Sequence, residues 1–393
     1  MKNILVGVTG GISAYKSANI VSILKKRGYN VKVVMTKNAT NIIGPITLET
    51  LSKNRVYIDM WDDRGHYEVE HISLAEWADV CLVAPATYNF VGKLANGIAD
   101  DMLTTVVSAT KSKVFIALAM NVNMIENPIL KNNLEKLKGY GYKIIDAEEG
   151  FLACDSMGKG RLKSEDKIVD EIERYFLYKN IKGNLKDKKI LITASRTKED
   201  IDPVRYITNN SSGKMGYSLA KAALDVGAKV SLISGPSNMQ IPDNLSEFIK
   251  INSAEEMYEE VVKRFKDCDI FISCAAVADY RPKFYSENKI KKTDDDLVIE
   301  LERNHDILFE MGKIKANQIL VGFAAETENI IENATKKLHK KNLDIIVANN
   351  ANVMNSSENE VVILKKDGSF VNLDKELKEK MAYSIIQEII NIL

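Results

Sequence analysis

Short apolar runs alternate with amphipathic stretches along the first half of the chain. The run KNILVGVT at residues 2–9 ends at Gly10-Gly11, and apolar positions in Ser13–Arg27 then recur at the spacing of one helix face. Further apolar runs predict strands at Tyr29–Met35, Val80–Pro85 and Val114–Ala119, with a helix near Ile98–Ala109. Strands that alternate with helices predict a parallel sheet covered on both faces, with ligands beyond the carboxyl ends of its strands.

The same pattern begins again after a polar, glycine-containing stretch at residues 181–189. The predicted strands of this second series are Lys189–Thr193, Lys229–Ser234, Ile270–Ala275, Gln318–Phe323 and Ile345–Ala348, and its predicted helices are Gly216–Val226, Ala254–Phe265 and Glu328–Lys340. Two alternating segments around Gly368 predict a β-hairpin. We therefore predict an α/β fold with two doubly wound domains, at residues 1–180 and 190–393, joined by a linker at 181–189. The first domain is predicted to be flavodoxin-like or Rossmann-like, and the second Rossmann-like.

The composition narrows the class of partner. Among 393 residues, 54 Lys and Arg balance 54 Asp and Glu, and a neutral chain lacks the basic surplus that nucleic acids or anionic membranes attract. No apolar stretch reaches the length of a membrane span, and the first apolar run is too short for a secretory leader. The four Cys and four His are not spaced as zinc ligands or as a disulfide framework. We therefore expect a cytoplasmic protein that acts on small molecules.

Candidate chemistry begins at the first turn of the first domain. Gly10-Gly11, between a strand and a helix, would let backbone N–H groups approach a phosphate, although an ordinary α/β turn has the same residues. The turn lacks the third glycine of the dinucleotide fingerprint, which favours a mononucleotide such as FMN over NAD. His71, Asn121 and Cys154 supply a base, an amide that can bind a carboxylate, and a thiol that can donate a proton.

Several sequence strings carry a resemblance to a known family. GVTGGISAYK, PATYN, LANGIADD, AMNVNM and GFLAC with the following GKGR resemble the flavoprotein family of cysteine decarboxylases. The run IDPVRYITNNSSGKMG at residues 201–216 is similar to the signature of phosphopantothenate–cysteine ligases. Nearly the whole chain therefore resembles the bifunctional family of phosphopantothenoylcysteine decarboxylases and phosphopantothenate–cysteine ligases of coenzyme A synthesis.

For the first domain, the resemblance implies an FMN-dependent decarboxylation. In that family FMN oxidises the thiol carbon of the substrate, and the resulting thioaldehyde accepts the electrons that departing CO2 leaves behind. His71 would act as a base or position the substrate, Asn121 would bind the substrate carboxylate, and Cys154 would protonate the ene-thiolate. The residues that the resemblance assigns to FMN are Gly10, Gly11, Ser13, Thr36, Pro85, Thr87, Asn89 and Ser108.

For the second domain, the resemblance implies that CTP activates the carboxylate of 4'-phosphopantothenate as an acyl-cytidylate, which the cysteine amine then attacks. Lys289 and Mg2+ would balance the phosphate charge, Asn209 would hold the acyl intermediate, and Asp279 would contact the metal or the nucleotide. Residue spacing alone does not distinguish CTP from ATP. The residues assigned to the nucleotide are Ser273, Cys274, Ala275, Asp279, Lys289, His305, Asp306, Ile307, Leu308, Phe323, Lys337 and Lys341.

Several positions depart from the family pattern. Ser195-Arg196 stands where Gly-Gly is usual, His305 replaces a Pro, and Asp155 follows Cys154 in place of a Gly. The resemblance also implies a homo-oligomer, with trimeric decarboxylase contacts and dimeric ligase contacts. Two other classes stay open. A flavin-binding regulatory protein of the same fold, without ligase activity, should lack the base or the thiol, and an NAD-type oxidoreductase is disfavoured by the short glycine turn.

Overall fold

The chain divides into two compact units, which are described separately: unit 1 is Met1–Phe176 and unit 2 is Leu177–Leu393. The computed structural model describes residues 1–61, 69–151, 157–292, 296–326, 329–350 and 358–393. Within these ranges, no helix is both long enough and apolar enough to cross a membrane.

Unit 1 is built on a parallel sheet. Its strands are β1 (Asn3–Val8), β2 (Asn30–Met35), β3 (Val56–Tyr57), β4 (Val80–Ala86), β5 (Lys113–Leu118), β6 (Lys143–Ile145), β7 (Glu148–Phe151) and β8 (Met157–Arg161). Its helices are α1 (Ser17–Lys26), α2 (Pro45–Ser52), α3 (Glu70–Trp77), α4 (Tyr88–Ala95), α5 (Met102–Ala109), α6 (Val122–Glu126), α7 (Pro128–Gly139) and α8 (Glu165–Lys179). Short 3-10 turns at Ile12–Lys16 and Lys37–Asn41 follow β1 and β2.

The main sheet of unit 1 has the strand order β3-β2-β1-β4-β5-β6, and every pair in it is parallel. Ile4, Val6 and Val8 of β1 pack into the core beneath α1 and α8, while Leu5 packs into the core on the other face beneath α5. Because β1 is buried on both faces of the sheet, its sequence is a continuous apolar run. The order reverses between β1 and β4, and doubly wound sheets bind ligands at the carboxyl ends of strands at such a reversal.

Capping determines where two helices of unit 1 begin. A helix was expected near Ile98–Ala109, but α5 begins at Met102 because Asp101 and Thr104 cap it reciprocally: the Thr104 N–H donates to Asp101 Oδ1 at 2.8 Å. Helix α4 begins at Tyr88, directly after the end of β4. The Thr87 hydroxyl caps this helix, and its buried apolar residues lie at helical spacing.

Unit 2 repeats the architecture on a larger scale. Its strands are β9 (Lys189–Ala194), β10 (Lys198–Asp200), β11 (Tyr206–Thr208), β12 (Lys229–Ser234), β13 (Glu247–Lys250), β14 (Ile270–Ser273), β15 (Tyr280–Pro282), β16 (Leu301–Arg303), β17 (Ile319–Glu326), β18 (Ile345–Asn350), β19 (Glu358–Lys365) and β20 (Phe370–Leu377). Its helices are α9 (Lys214–Asp225), α10 (Ala254–Phe265), α11 (Ile307–Ile314), α12 (Ile330–Lys340) and α13 (Lys378–Ile390).

The main sheet of unit 2 has eight strands in the order β13-β12-β9-β14-β17-β18-β19-β20. The strands from β13 to β18 are parallel, and β19 and β20 add an antiparallel hairpin at the edge, as the segments around Gly368 predicted. Two small antiparallel pairs, β10–β11 and β15–β16, stand apart from this sheet. The predicted α/β fold with two doubly wound domains is confirmed.

The close packing of unit 1 yields a stability prediction at two glycines. A Cβ on Gly7 of β1 would lie 2.5 Å from Cδ1 of Leu103, which is only 1% exposed, whereas a Cβ on Gly92 of α4 would have no neighbour within 4 Å. We expect Gly7→Ala to lower the free energy of unfolding by about 1–3 kcal/mol, because an overpacked core cannot relax. Gly92→Ala should raise it by about 0.5–1 kcal/mol, because alanine loses less backbone entropy in a helix. Urea unfolding of both variants measures this, and equal effects would contradict the packing described here.

Candidate functional site

A cavity of about 1110 Å³ opens at the carboxyl ends of β1, β2, β4 and β5 in unit 1. The turn after β1 forms one wall and the loop from β4 into α4 forms another. The side chains and backbone that line it are those of Thr9, Gly10, Gly11, Ile12, Ser13, Tyr15, Lys16, Thr36, Lys37, Asn38, Ile58, Asp59, Met60, Trp61, Thr87, Tyr88, Asn89, Phe90, Lys93, Asp100, Asp101, Met102, Ala119, Met120, Asn121, Met124, Gly160 and Arg161. The cavity therefore lies where the strand order of the sheet reverses.

Two buried hydroxyls hold the walls of this cavity together. Thr9, 1% exposed, donates its hydroxyl to the Pro85 carbonyl oxygen at 2.7 Å and accepts the Thr87 N–H at 3.2 Å. Ser17, at the start of α1, donates to the Ala84 carbonyl oxygen at 2.7 Å. Both hydroxyls satisfy backbone groups that leave the sheet at the end of β4, so they fix the loop that leads into α4.

The glycine turn is shaped by close packing. A Cβ on Gly10 would lie 2.5 Å from Cβ of Asn38 and 3.0 Å from its carbonyl carbon, and a Cβ on Gly11 would lie 3.2 Å from Cγ2 of Thr87. Only residues without a side chain let the backbone after β1 approach both neighbouring loops this closely. The turn thus brings the backbone of both glycines to the wall of the cavity.

Four cationic side chains line the same cavity. Lys16 is 8% exposed and lies 3.9 Å from Glu165. Lys93 forms ion pairs with Asp100 at 2.6 Å and Asp101 at 3.2 Å, and the hydrogen bond that it donates to Asp100 raises the pKa of Lys93 although burial acts in the opposite direction. Lys37 pairs with Asp59 at 3.0 Å, and Arg161, at the end of β8, is the fourth cation. The cavity can therefore accommodate an anionic group such as a phosphate.

Most residues that the sequence assigned to FMN meet at this cavity. Gly10, Gly11, Ser13, Thr36, Thr87 and Asn89 line it, and so does Asn121. Pro85 is not among the lining residues, but its carbonyl oxygen accepts the Thr9 hydroxyl. Ser108 is exposed at the last turn of α5, and only the first turn of α5 reaches the cavity. His71 is half-buried on α3 and is not among the residues that line the cavity. Cys154 falls outside the described residues.

Some lining residues were missed by the sequence reasoning. Lys16, Asn38, Lys93, Met120 and Arg161 all reach the cavity. Lys16, Met120 and Arg161 lie within the strings that carry the family resemblance, so their position there was the signal that could have identified them.

In unit 2 the loop after β14 is fixed from two sides. The Asn209 amide donates to the Val277 carbonyl oxygen at 2.9 Å and to that of Ala276 at 3.4 Å, and the Ala278 N–H donates to Thr197 Oγ1 at 3.0 Å. Burial raises the pKa of the Cys274 thiol to about 12, so this thiol is protonated at neutral pH. A ligand at this loop would therefore meet its backbone groups and its surface, and the Cys274 thiol would not be a reactive nucleophile.

A second group of predicted nucleotide residues meets around the N-terminus of α11. Asp306 caps this helix by accepting the Phe309 N–H at 3.1 Å, and its carboxylate pairs with Lys341 at 2.8 Å. Leu308 packs so closely on β17 that a Cβ on Gly322 would lie 2.8 Å from Leu308 Cδ2. Phe323, the next residue of β17, packs into the core on the opposite face of the sheet, away from Leu308. Lys337 lies one turn before Lys341 in the chain and is exposed. The structure thus gathers His305–Leu308 and Lys341, but not Phe323.

Lys289 and Asp279 are exposed. The neighbour of Lys289, Ile290, donates its N–H to Asp202 Oδ2 at 3.1 Å, and the carbonyl oxygen of Asp279 accepts the Asn304 N–H at 2.9 Å. In the part of the chain that the structure describes, no group of three or more His, Cys, Asp and Glu side chains is arranged to hold a metal ion. Asp279 is therefore not part of a preformed metal site there.

Two of the departures from the family pattern, Ser195 and His305, make defined local contacts, and Asp155 lies outside the described residues. Ser195 takes a left-handed backbone with φ of 70°, and its hydroxyl donates to the Pro236 carbonyl oxygen at 2.5 Å. His305 stacks on Tyr258, with ring centroids 4.4 Å apart and an angle of 8° between the rings. Its two ring nitrogens lie 3.8 Å from Glu255 and 3.5 Å from Glu310. The stack restricts His305 beside the helix cap at Asp306.

Two doubly wound units, each with polar loops gathered at the carboxyl edge of its sheet, define a two-domain α/β protein of the nucleotide-binding type. Residues 1–177 match the family model described as Flavoprotein, and residues 185–393 match that of the DNA/pantothenate metabolism flavoprotein C-terminal domain. The chain belongs to the family of bifunctional coenzyme A biosynthesis proteins, so the family predicted from its sequence strings is confirmed.

Relatives match over almost the full length of the chain. The coenzyme A biosynthesis bifunctional protein CoaBC of Borreliella burgdorferi is 50% identical over 395 residues, covering 100% of this chain and 99% of that protein. The protein of the same name from Bacillus subtilis is 46% identical, covering 99% and 96%. A cysteine/cysteine sulfinic acid decarboxylase from an unknown prokaryotic organism is 41% identical, covering 89% and 99%. A crystal structure of a CoaBC C-terminal domain is 43% identical, covering 53% of this chain and 98% of that one, with a TM-score of 0.47.

The buried hydroxyl of Thr9 generates a prediction. Thr9→Val keeps the shape of the side chain but leaves the Pro85 carbonyl and the Thr87 N–H without their partner, so the free energy of unfolding should fall by about 1–3 kcal/mol for each unpaired group. Thr9→Ser keeps the hydroxyl and loses one methyl group, which should cost about 1 kcal/mol. Urea unfolding compares the two, and an equal cost would show that the hydroxyl does not hold the β4 loop.

Proposed function

We propose that this protein ligates cysteine to 4'-phosphopantothenate at the expense of CTP and then decarboxylates the product, 4'-phosphopantothenoylcysteine, to 4'-phosphopantetheine. The observation that carries the proposal is the match of both family models and of the bifunctional relatives over nearly the full chain. Decarboxylation is assigned to residues 1–180 and ligation to residues 190–393, with 181–189 as the linker. We place the protein in the cytoplasm as a homo-oligomer with trimeric decarboxylase and dimeric ligase contacts.

FMN fits the cavity of unit 1. The cavity has the size of a cofactor site, a glycine turn that a side chain would block, and four cations for a phosphate, namely Lys16, Lys37, Lys93 and Arg161. Gly10, Gly11, Ser13, Thr36, Thr87 and Asn89 would hold the cofactor. When bound, FMN would supply the two-electron oxidation and reduction that decarboxylation of a cysteine carboxylate needs.

The side chains of unit 1 would bind and protonate the substrate. Asn121 Oδ1 accepts the Asn123 N–H at 2.9 Å, so the amide nitrogen is the end of Asn121 that would donate to the substrate carboxylate. We assign His71 as the base or as a positioning group, and Cys154 as the acid that returns a proton. A thiol suits that role because it is a far stronger acid than a hydroxyl.

In unit 2, ligation would depend on charge neutralisation and alignment. A carboxylate oxygen of phosphopantothenate attacks the α-phosphorus of CTP, and pyrophosphate leaves. The cysteine amine then attacks the acyl carbon, and CMP leaves. Lys289, Lys337 and Lys341 would balance the phosphates, while Asn209 would hold the acyl intermediate from its place against the 276–277 backbone. Mg2+ would arrive with the triphosphate, since it commonly binds through substrate phosphates and few carboxylates, and Asp279 would supply one of those.

A second candidate is favoured by one relative. The cysteine/cysteine sulfinic acid decarboxylase covers 89% of this chain, so unit 1 could act on cysteine itself. Incubation with phosphopantothenate, cysteine and CTP, with pyrophosphate and CO2 followed separately, tests the main proposal. CO2 from preformed phosphopantothenoylcysteine but none from free cysteine would support it, whereas CO2 from cysteine alone without pyrophosphate would favour the second candidate. A flavin-loaded protein that releases neither would be the regulatory alternative.

Asn121→Asp should abolish decarboxylation while FMN stays bound. A carboxylate facing the substrate carboxylate replaces a hydrogen bond with repulsion, which should lower CO2 release roughly a hundredfold or more. The matched control is Asn123→Asp, which adds the same charge two residues away on an exposed side chain. CO2 release and the visible flavin spectrum are measured together. Turnover within a few-fold of the original would remove Asn121 from substrate binding.

Lys289→Gln should reduce ligation to a small residual rate and leave decarboxylation intact. The lost charge faces a polyphosphate, and removal of such a group costs roughly a hundredfold in rate or more. Lys291→Gln is the control, since Lys291 is exposed in the same segment. Pyrophosphate release with phosphopantothenate alone is compared with CO2 release from preformed phosphopantothenoylcysteine. A folded, flavin-loaded variant that loses both activities would contradict the division between two sites.

A further inference from the structure

We propose that Asp202 is a positioning residue for ligation, because its buried carboxylate fixes the backbone that carries Lys289. This inference rests on the proposed role of Lys289. Asp202 itself would touch neither substrate nor nucleotide. It acts by connecting two loops that the sheet does not connect, the loop between β10 and β11 and the segment between β15 and β16.

The Asp202 carboxylate is fully occupied by neighbours. Its side chain is 1% exposed. Oδ1 accepts the N–H groups of Val204 and Arg205, both at 2.8 Å, which closes the turn between β10 and β11. Oδ2 accepts the Ile290 N–H at 3.1 Å and Nη1 of Arg205 at 3.0 Å. One oxygen thus organises its own loop, and the other reaches a residue 88 positions further along the chain.

The Lys289 segment is held at several points. Arg205 Nη1 also donates to the Ile290 carbonyl oxygen at 3.1 Å, so both polar backbone groups of Ile290 are bound, one by the carboxylate and one by the guanidinium. The Ser286 N–H donates to the Ile201 carbonyl oxygen at 3.0 Å. The backbone on either side of Lys289 is therefore tied to residues 201–205, although Lys289 belongs to no helix or strand.

These hydrogen bonds fix the backbone from which the Lys289 side chain extends. A lysine side chain is flexible and strongly hydrated, so its charge stabilises a transition state only if the backbone beneath it is held in place. The loop held by Asp202 continues through β11 to Asn209, whose amide grips the loop after β14. Through these hydrogen bonds, the buried Asp202 carboxylate connects the backbone beneath Lys289 to the loop that contains residues 276–277.

Only a carboxylate satisfies these contacts. Burial would raise the pKa of Asp202, but the hydrogen bonds from Val204, Ile290 and Arg205, together with the Arg205 charge, hold it below its usual value. The group is therefore ionised at neutral pH and accepts at both oxygens. An asparagine has one acceptor oxygen and one donor nitrogen. It would therefore lose either the hydrogen bonds that Oδ1 accepts or those that Oδ2 accepts.

Asp202→Asn in the full-length protein tests the proposal by two measurements. Hydrogen exchange at the Ile290 amide should become roughly ten- to a hundredfold faster, since a hydrogen bond to a charged group is lost. The ligase kcat should fall roughly tenfold or more, with a smaller change in KM for CTP and with CO2 release from preformed phosphopantothenoylcysteine unchanged. Asp200→Asn is the control, because Asp200 is a neighbouring carboxylate that contacts Lys198 and Asn252 and should alter neither measurement.

The double variant separates positioning from general destabilisation. If Asp202 acts through Lys289, Asp202→Asn combined with Lys289→Gln should ligate no more slowly than Lys289→Gln alone, whereas an independent structural defect would add to it. Ile290→Pro keeps the Asp202 carboxylate but removes the N–H that Oδ2 binds and restricts the backbone at Lys289 and at position 290, so it should reproduce the fall in kcat if Asp202→Asn does not fold. The proposal is overturned if Lys289→Gln slows ligation while Asp202→Asn changes neither exchange nor kcat, or if the losses measured on the residual rate of Lys289→Gln are additive in the double variant. A Lys289→Gln variant with full ligase activity would instead refute the proposed role of Lys289.

Discussion

Both units depend on the burial of a parallel sheet on its two faces. β1 and β4 in unit 1, like β9 and β14 in unit 2, are covered by helices on either side, so their side chains are committed to apolar packing. Polar chemistry is therefore excluded from the sheet itself and collects in the loops at the carboxyl ends of the strands. Most of the candidate residues that line the cavity of unit 1 lie in such a loop or in the first turn of the helix that follows it.

The loops at this edge lie beyond the hydrogen bonds that pair the strands. In both units, buried threonine hydroxyls hold these loops in place. In unit 1, Thr9 after β1 binds the backbone that leaves β4 at Pro85 and Thr87. In unit 2, Thr193 at the end of β9 accepts the Ala275 N–H at 3.4 Å, and Thr197 a few residues later accepts the Ala278 N–H at 3.0 Å. In each case the first strand of the unit supplies the hydroxyl, and the strand beside it supplies the loop. A buried hydroxyl that satisfies main-chain groups orders the loop more strictly than apolar contact would.

The strands, the two-domain order and most of the glycine-turn site follow from sequence, because apolar period and glycine placement are local signals. The boundary of α5 was misjudged because the decisive feature is a reciprocal cap at Asp101 and Thr104, which outweighs the apolar spacing before it. Ser108 was assigned to the FMN site by resemblance and stays a prediction, since it is exposed at the last turn of α5 and is not among the residues that line the cavity. The role of Asp202 depends on a contact with Ile290 across 88 positions, and no local pattern in the sequence encodes such a pairing.

The charges at the candidate sites explain how a chain with no net charge can be suited to anionic ligands. Lys93 is paired with Asp100 and Asp101, Lys341 with Asp306, and Arg205 with Asp202, so each of these cations is oriented before any ligand arrives. The orientation has a cost, since a phosphate that approaches Lys341 also approaches the carboxylate of Asp306. If a nucleoside triphosphate binds there as we propose, a divalent cation carried on its phosphates would offset that repulsion.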